Sequence, residues 1–167
     1  MTSLPSRGKS PLALLLFFAV TCLAAFIGVL SSRNAPLIYA KIVQPSWAPP
    51  GSVFGPVWST LYCCMAIAAW LVWRQRERLR VNVCLWAYGI HLIFQAAWSW
   101  LFFGLGRADA AMLDIMLLWT MIVWLMLAFW RADRLAGILM LPYLLWVSFA
   151  SVLNAALWLL NGSVLPR

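Results

Sequence analysis

The sequence predicts an all-α, polytopic membrane protein, with residues 1–167 forming a single transmembrane domain of five helices. Three observations carry this. First, 65% of the 167 residues are hydrophobic and the mean hydropathy is +0.91. That is about five times the ~20 apolar residues that one helical crossing needs. Second, 12 Lys+Arg and 4 Asp+Glu are the only charged residues, too few to cover a soluble globule of this size. So apolar a chain is not a disordered one either. Third, the apolar runs are continuous, whereas the strands of an outer-membrane barrel would alternate with period two.

The first predicted helix is residues 11–30, after Arg7 and Lys9. Its apolar core is longer than the ~7–15 residues of a secretory signal, and no clear cleavage site follows. Residues 31–52 read as a loop carrying Arg33, Lys41 and four prolines. It is too long for a plain helix–helix connection. Its end, Pro45-Ser46-Trp47-Ala48-Pro49-Pro50-Gly51, is stiffened by fixed proline φ angles and reads as a lid. The second helix is predicted at 53–73, with Pro56 tolerated in its first turn. The third is predicted at 81–103, ended by Gly104 and Gly106, the fourth at 108–130, and the fifth at 135–160. Pro142 should interrupt the fifth helix with a kink.

Basic residues fall between the apolar runs, where orientation signals belong, and not on a polar face that would suit nucleic acid. Eight of the twelve Lys and Arg lie on the side that holds the N-terminal tail. The positive-inside bias puts that tail in the cytoplasm and the proline-rich loop outside. The four cysteines, Cys22, Cys63, Cys64 and Cys84, lie inside apolar runs without metal-ligand spacing. They read as small packing residues.

Conventional catalytic machinery is missing from the pattern. The single histidine, His91, has no second histidine to form a metal site, and its simplest role is an interhelical hydrogen bond. Of the acids Glu77, Asp109, Asp114 and Asp133, only Asp114 lies about two turns inside a helix. An intramembrane acid points to function unless it is close enough to the interface to reach water beside Arg107 and Asp109.

The loud signal is tryptophan, 12 residues of 167. Trp70, Trp73, Trp86, Trp130 and Trp158 sit near predicted helix ends and fit an interfacial belt. Others share helical faces with polar or small residues: Trp58 with Tyr62, Gln95 with Trp98, and Trp146 with Ala150 and Asn154. Amides are costly toward lipid and should turn inward. Flat rings, a small gap and a few amides suit a large, flat, mostly apolar ligand. Ordinary helix packing, with the amides as glue, is the alternative.

The stretches Pro45-Ser46-Trp47-Ala48-Pro49-Pro50 and Phe54-Gly55-Pro56-Val57-Trp58-Ser59-Thr60-Leu61-Tyr62 closely resemble the signature of the tryptophan-rich sensory protein family, also called translocator protein or peripheral-type benzodiazepine receptor. Gln95-Ala96-Ala97-Trp98-Ser99-Trp100-Leu101-Phe102-Phe103 and Pro142-Tyr143-Leu144-Leu145-Trp146, running on to Asn154, resemble two further motifs of that family. Spacing and order agree over about residues 11–160.

The resemblance implies five transmembrane helices, often in a homodimer, around a pocket closed by the first loop, in the inner membrane for a bacterial member. It implies binding of tetrapyrroles such as protoporphyrin IX as ligand, with no cofactor, and of isoquinoline carboxamide or benzodiazepine-type drugs. It also implies a role as receptor or carrier in porphyrin transport or stress sensing. By motif position Trp58, Tyr62, Gln95, Trp98, Trp146, Ala150 and Asn154 fall on the pocket and Trp47 on the lid. Trp58 and Trp146 match the indoles implicated in light-dependent porphyrin breakdown, the alternative activity and the only candidate catalytic role. Three positions depart from the family pattern: Gln95 for asparagine, Ser52 for tryptophan and Ala66 for glycine. The sterol motif is not carried over, because Ala155 and Leu159 occupy its tyrosine and basic positions.

Overall fold

A computed structural model describes residues 10–77 and 79–162. Arg7, Lys9, Arg78 and Arg167, which enter the orientation count, lie outside the described residues. Among the described residues six α-helices form where five were expected: α1 (Pro11–Ser31), α2 (Ala35–Lys41), α3 (Phe54–Arg74), α4 (Asn82–Ser99), α5 (Ala108–Ala132) and α6 (Arg134–Leu160). The additional helix, α2, lies in the stretch read as loop. Pro36 in its first turn begins it rather than breaks it, because the fixed φ is already helical and the missing N–H would have no partner there.

Four helical segments are long and apolar enough to cross a membrane: Pro11–Ser31, Gly51–Arg74, Ala108–Ala132 and Arg134–Leu160. The exception among the long helices is α4. It has 18 residues and carries Tyr88, His91 and Gln95, all of them buried. Its polarity faces inward, so a lower hydropathy does not mean a wetter surface. A π-helical turn, Trp100–Gly104, extends it, closed by the Leu105 N–H donating to the Trp100 carbonyl at 2.9 Å.

Packing follows the sequence of each face. The buried residues of α1 are Thr21, Ala24 and Gly28, a stripe of small side chains that brings it close to its neighbours. Its other faces expose Leu12, Leu15, Leu16 and Phe26, as lipid contact requires. Neighbouring helices follow the order α1, α3, α6, α5, α4 and back to α1, a closed ring. The ring starts and stops on local chemistry. Ser10 caps α1, its hydroxyl accepting from the Ala13 N–H at 3.4 Å. Asp133 caps α6, its Oδ1 accepting from the N–H groups of Leu135 (2.9 Å) and Ala136 (3.3 Å). Gln75 Nε2 also donates to Asp133 Oδ2 at 3.3 Å, tying together the two arginine-bearing turns at one end of the bundle.

Pro142 lies inside α6 without ending it. Helix α6 runs through it for 27 residues. The proline cannot hydrogen-bond to the carbonyl four residues earlier, but the turns on either side hold and neighbouring helices fix the path.

The segment after α2 is pinned at three points. The Tyr39 hydroxyl donates to the Pro49 carbonyl at 3.0 Å. The Tyr39 ring meets Phe54 edge-on at 5.6 Å. Asn161, just beyond α6, pairs with the backbone of Val43. Burial raises the Tyr39 phenol above its ordinary pKa, so it remains a neutral donor.

Candidate functional site

Because α3 meets α4 little across the ring, a space is left between them. The result is a cavity of about 1040 Å³, bounded by α1, α2 and the segment after it, α3, α4, α5 and α6. Ligand pockets typically run from ~300 to ~1,000 Å³, so this one suits a large guest.

Each wall is set by helical spacing. Helix α3 presents Trp58 and Tyr62 one turn apart, with ring centroids 5.5 Å apart. Helix α4 presents Gln95 and Trp98. The Trp98 ring stacks on Phe102 of the π-turn at 5.4 Å and 18°. The wider turn there adds one residue to the helical repeat and so re-aims the rings that follow. Helix α6 presents Trp146, Ala150 and Asn154, with Phe54 edge-on to Trp146 at 5.7 Å. Seven of the eight sequence-predicted binding residues therefore line one cavity.

Trp47 does not. It stands outside the wall, nearly half exposed, with its ring edge-on to Phe149 at 5.8 Å. Tyr39, Gln44, Pro50 and Gly51 line the cavity instead.

The polar atoms are few. Gln95 Nε2 donates to the Tyr62 hydroxyl oxygen at 2.6 Å. Asn154 Nδ2 lies 3.5 Å from both the Ala108 carbonyl and Met112 Sδ, contacts at the limit of hydrogen bonding. Four wall atoms, Gln95 Oε1, Asn154 Oδ1, Trp98 Nε1 and Trp146 Nε1, are buried with no hydrogen-bond partner among the described residues. Each such group costs about 1–3 kcal/mol unless something satisfies it. Two acceptors and two N–H donors of wall residues are thus left without protein partners. Arg33, between α1 and α2, is the charged side chain of the wall, and it is exposed.

Several wall residues were not picked out from the sequence, among them Gly28, Phe54, Ser99 and Leu118. The small-residue stripe of α1 was the available signal for Gly28. A Cβ there would come within 3.5 Å of Ser99 Oγ, so α1 packs directly against the end of α4. His91 is fully buried outside the wall and pairs through Nε2 with the Tyr143 hydroxyl at 2.8 Å, an interhelical bond as expected. Asp114 is buried too. Arg107 pairs with Asp109 instead, through two bonds of 2.8 and 2.7 Å, and Asp114 Oδ2 has no hydrogen-bond partner among the described residues.

Comparison with known proteins finds relatives over most of the chain. A family model described as the TspO/MBR family matches residues 13–159. A tryptophan-rich protein TspO of Chlorobaculum tepidum is 39% identical over 158 residues, covering 92% of this chain and 98% of that protein. Protein CrtK of Rhodobacter capsulatus is 33% identical over 153 residues, covering 90% and 93%. The human translocator protein is 35% identical over 122 residues, covering 72% of each chain.

Proposed function

The chain belongs to the TspO/MBR family, and on that premise we propose that this integral membrane protein is a receptor or carrier that holds a porphyrin-class tetrapyrrole between its helices. The observation that carries the reading is a cavity of about 1040 Å³ whose wall brings together Trp58, Trp98 and Trp146 with the amides Gln95 and Asn154. Trp58, Trp98 and Trp146 would lie against the faces of a flat guest, each contributing about 0.5–1.5 kcal/mol beyond its buried area. The amide oxygens of Gln95 and Asn154 would accept from polar edges, and the indole N–H groups of Trp98 and Trp146 would donate. Arg33 would pair with a carboxylate that stays near the mouth. The basic end of the bundle, bearing Arg74, Arg76, Arg80, Arg131 and Arg134, would face the cytoplasm.

Titration with protoporphyrin IX, read by the shift of its absorption band, tests this. Wild type should bind saturably. A Trp58→Ala/Trp146→Ala double variant should bind about fivefold to 150-fold more weakly, since two aromatic contacts amount to ~1–3 kcal/mol. Equal affinity for the two proteins would remove the cavity as the site.

A second reading, light-dependent breakdown of the bound porphyrin, is favoured by one observation. Both Trp58 and Trp146 line the same cavity, so two oxidisable indoles would flank one guest. Loss of porphyrin absorbance in light but not in darkness, abolished by Trp58→Phe, is its expected signature.

A further inference from the structure

Behind the cavity wall lies a hydrogen bond that ligand binding does not use. The Trp58 ring meets Tyr143 of α6 at 6.1 Å and 64°. Tyr143 is fully buried, and its hydroxyl lies 2.8 Å from Nε2 of His91, also fully buried. Neither side chain lines the cavity. A chain of ring contacts therefore leads from a wall indole to a phenol held on an imidazole.

The direction of that hydrogen bond is assigned from partner counting. If Tyr143 donates to Nε2, the His91 Nδ1–H is left facing the backbone of Tyr88 without a fully formed hydrogen bond. The reverse leaves both the phenol hydrogen and the Nδ1 lone pair without partners. The first arrangement strands fewer groups, so the phenol donates.

The other three tyrosines differ. Tyr88 lies 2.6 Å from Thr21 Oγ1, whose own hydrogen goes to the Phe17 carbonyl at 2.7 Å. Tyr62 accepts from Gln95. Tyr39 donates to the Pro49 carbonyl. Of the four, only Tyr143 has its hydroxyl on an imidazole nitrogen.

We propose that Tyr143 and His91 form a redox-active phenol–imidazole pair that fills an electron hole made at Trp58. It rests on the reading that a porphyrin-class chromophore occupies the cavity, because such a molecule, excited by light, is a one-electron oxidant beside that indole. The excited chromophore takes one electron from Trp58 and passes it to dioxygen, which leaves as superoxide. The indole radical cation takes an electron from Tyr143. As the phenol is oxidised its O–H bond breaks and the proton moves along the hydrogen bond to Nε2 of His91.

The products are a neutral phenoxyl radical and an imidazolium. In total one electron goes from Tyr143 to dioxygen and one proton from Tyr143 to His91. A thiol-class reductant later returns the electron, and the proton returns from Nε2. The unpaired imidazolium in an apolar surround favours that return. The pair thereby restores the Trp58 indole and keeps the oxidising equivalent away from the guest.

The test uses the full chain purified in detergent with protoporphyrin IX, illuminated, frozen and read by electron paramagnetic resonance. Binding is followed separately by the porphyrin absorption shift. A neutral tyrosyl signal is expected in the wild type, lost in Tyr143→Phe and retained in Tyr62→Phe and Tyr88→Phe. His91→Gln keeps the phenol but removes the base. It should lower the signal and abolish the slowing of radical formation in deuterated solvent, an effect that loss of packing alone would not produce. That variant carries the test if Tyr143→Phe fails to fold. A tyrosyl signal indifferent to both substitutions, or bound porphyrin yielding indole radicals alone, overturns the proposal. If the porphyrin does not bind, ultraviolet ionisation of the indoles in the same samples decides. A tyrosyl radical that depends on Tyr143 and His91 upholds the pair while the binding reading fails, and one that does not overturns the pair as well.

Discussion

The side-chain amide of Asn161 pairs with both backbone groups of Val43. The Val43 N–H donates to Oδ1 at 2.7 Å, and Nδ2 donates to the Val43 carbonyl at 2.8 Å. Asn161 is buried, and its Nδ2 also reaches the Leu157 carbonyl at 2.9 Å. One residue past the end of α6 thus fixes the segment that forms part of the cavity's wall.

Asn161→Ala should free that segment. Two backbone groups lose their partner, at about 0.5–1.5 kcal/mol for each hydrogen bond. Bound protoporphyrin IX should dissociate faster in stopped-flow displacement, and protease cleavage between α2 and α3 should accelerate. An unchanged dissociation rate would mean that the segment does not retain the guest.

Arg33 sets a preference rather than the bulk of the affinity. An exposed ion pair contributes only ~0.2–1 kcal/mol, so Arg33→Ala should weaken protoporphyrin IX binding about two- to fivefold. The dimethyl ester, which has no carboxylates, should bind the variant and the wild type alike. A loss of equal size for the ester would assign Arg33 a packing role instead.

Gly137 marks the tightest helix contact. A Cβ there would fall 2.7 Å from Trp130 Cβ and 2.8 Å from Trp130 Cα, and the backbone cannot move aside as a flexible side chain would. Gly137→Ala should destabilise the α5–α6 hairpin by about 1–3 kcal/mol, as overpacking does. Thermal unfolding in detergent would show this as a lowered midpoint.

Asp114 predicts the opposite sign. Its Oδ2 is buried without a hydrogen-bond partner among the described residues, a cost of about 1–3 kcal/mol that an apolar side chain of similar size would remove. Asp114→Leu should therefore raise the unfolding midpoint. A lowered midpoint would show that the carboxyl group has a stabilising partner in the folded protein. Porphyrin affinity should not change, since Asp114 is not in the cavity wall.

What the sequence determined by itself is the layout along the membrane normal. Length and continuity of apolar runs place α1, α3, α5 and α6 within a few residues, because a bilayer of fixed thickness accepts few lengths and no unpaired backbone. Helical spacing also grouped Trp58 with Tyr62, Gln95 with Trp98, and Trp146 with Ala150 and Asn154, since residues three or four apart must share a face.

The tertiary structure alone decided which faces look at one another. Hydropathy carries no azimuth when lipid and protein interior are equally apolar, so it does not by itself separate the cavity-lining Trp98 from Trp86, which faces outward; only the amide of Gln95 beside Trp98 hinted at the difference. Nor could local rules give the pairings Tyr62–Gln95, His91–Tyr143 and Val43–Asn161, which span 33, 52 and 118 residues. The same holds for Trp47, left against Phe149 outside the wall, and for Pro142, carried inside an unbroken α6. Each outcome depends on what a neighbouring helix offers in exchange for a lost bond or an exposed ring, and that is settled only when the ring of helices closes.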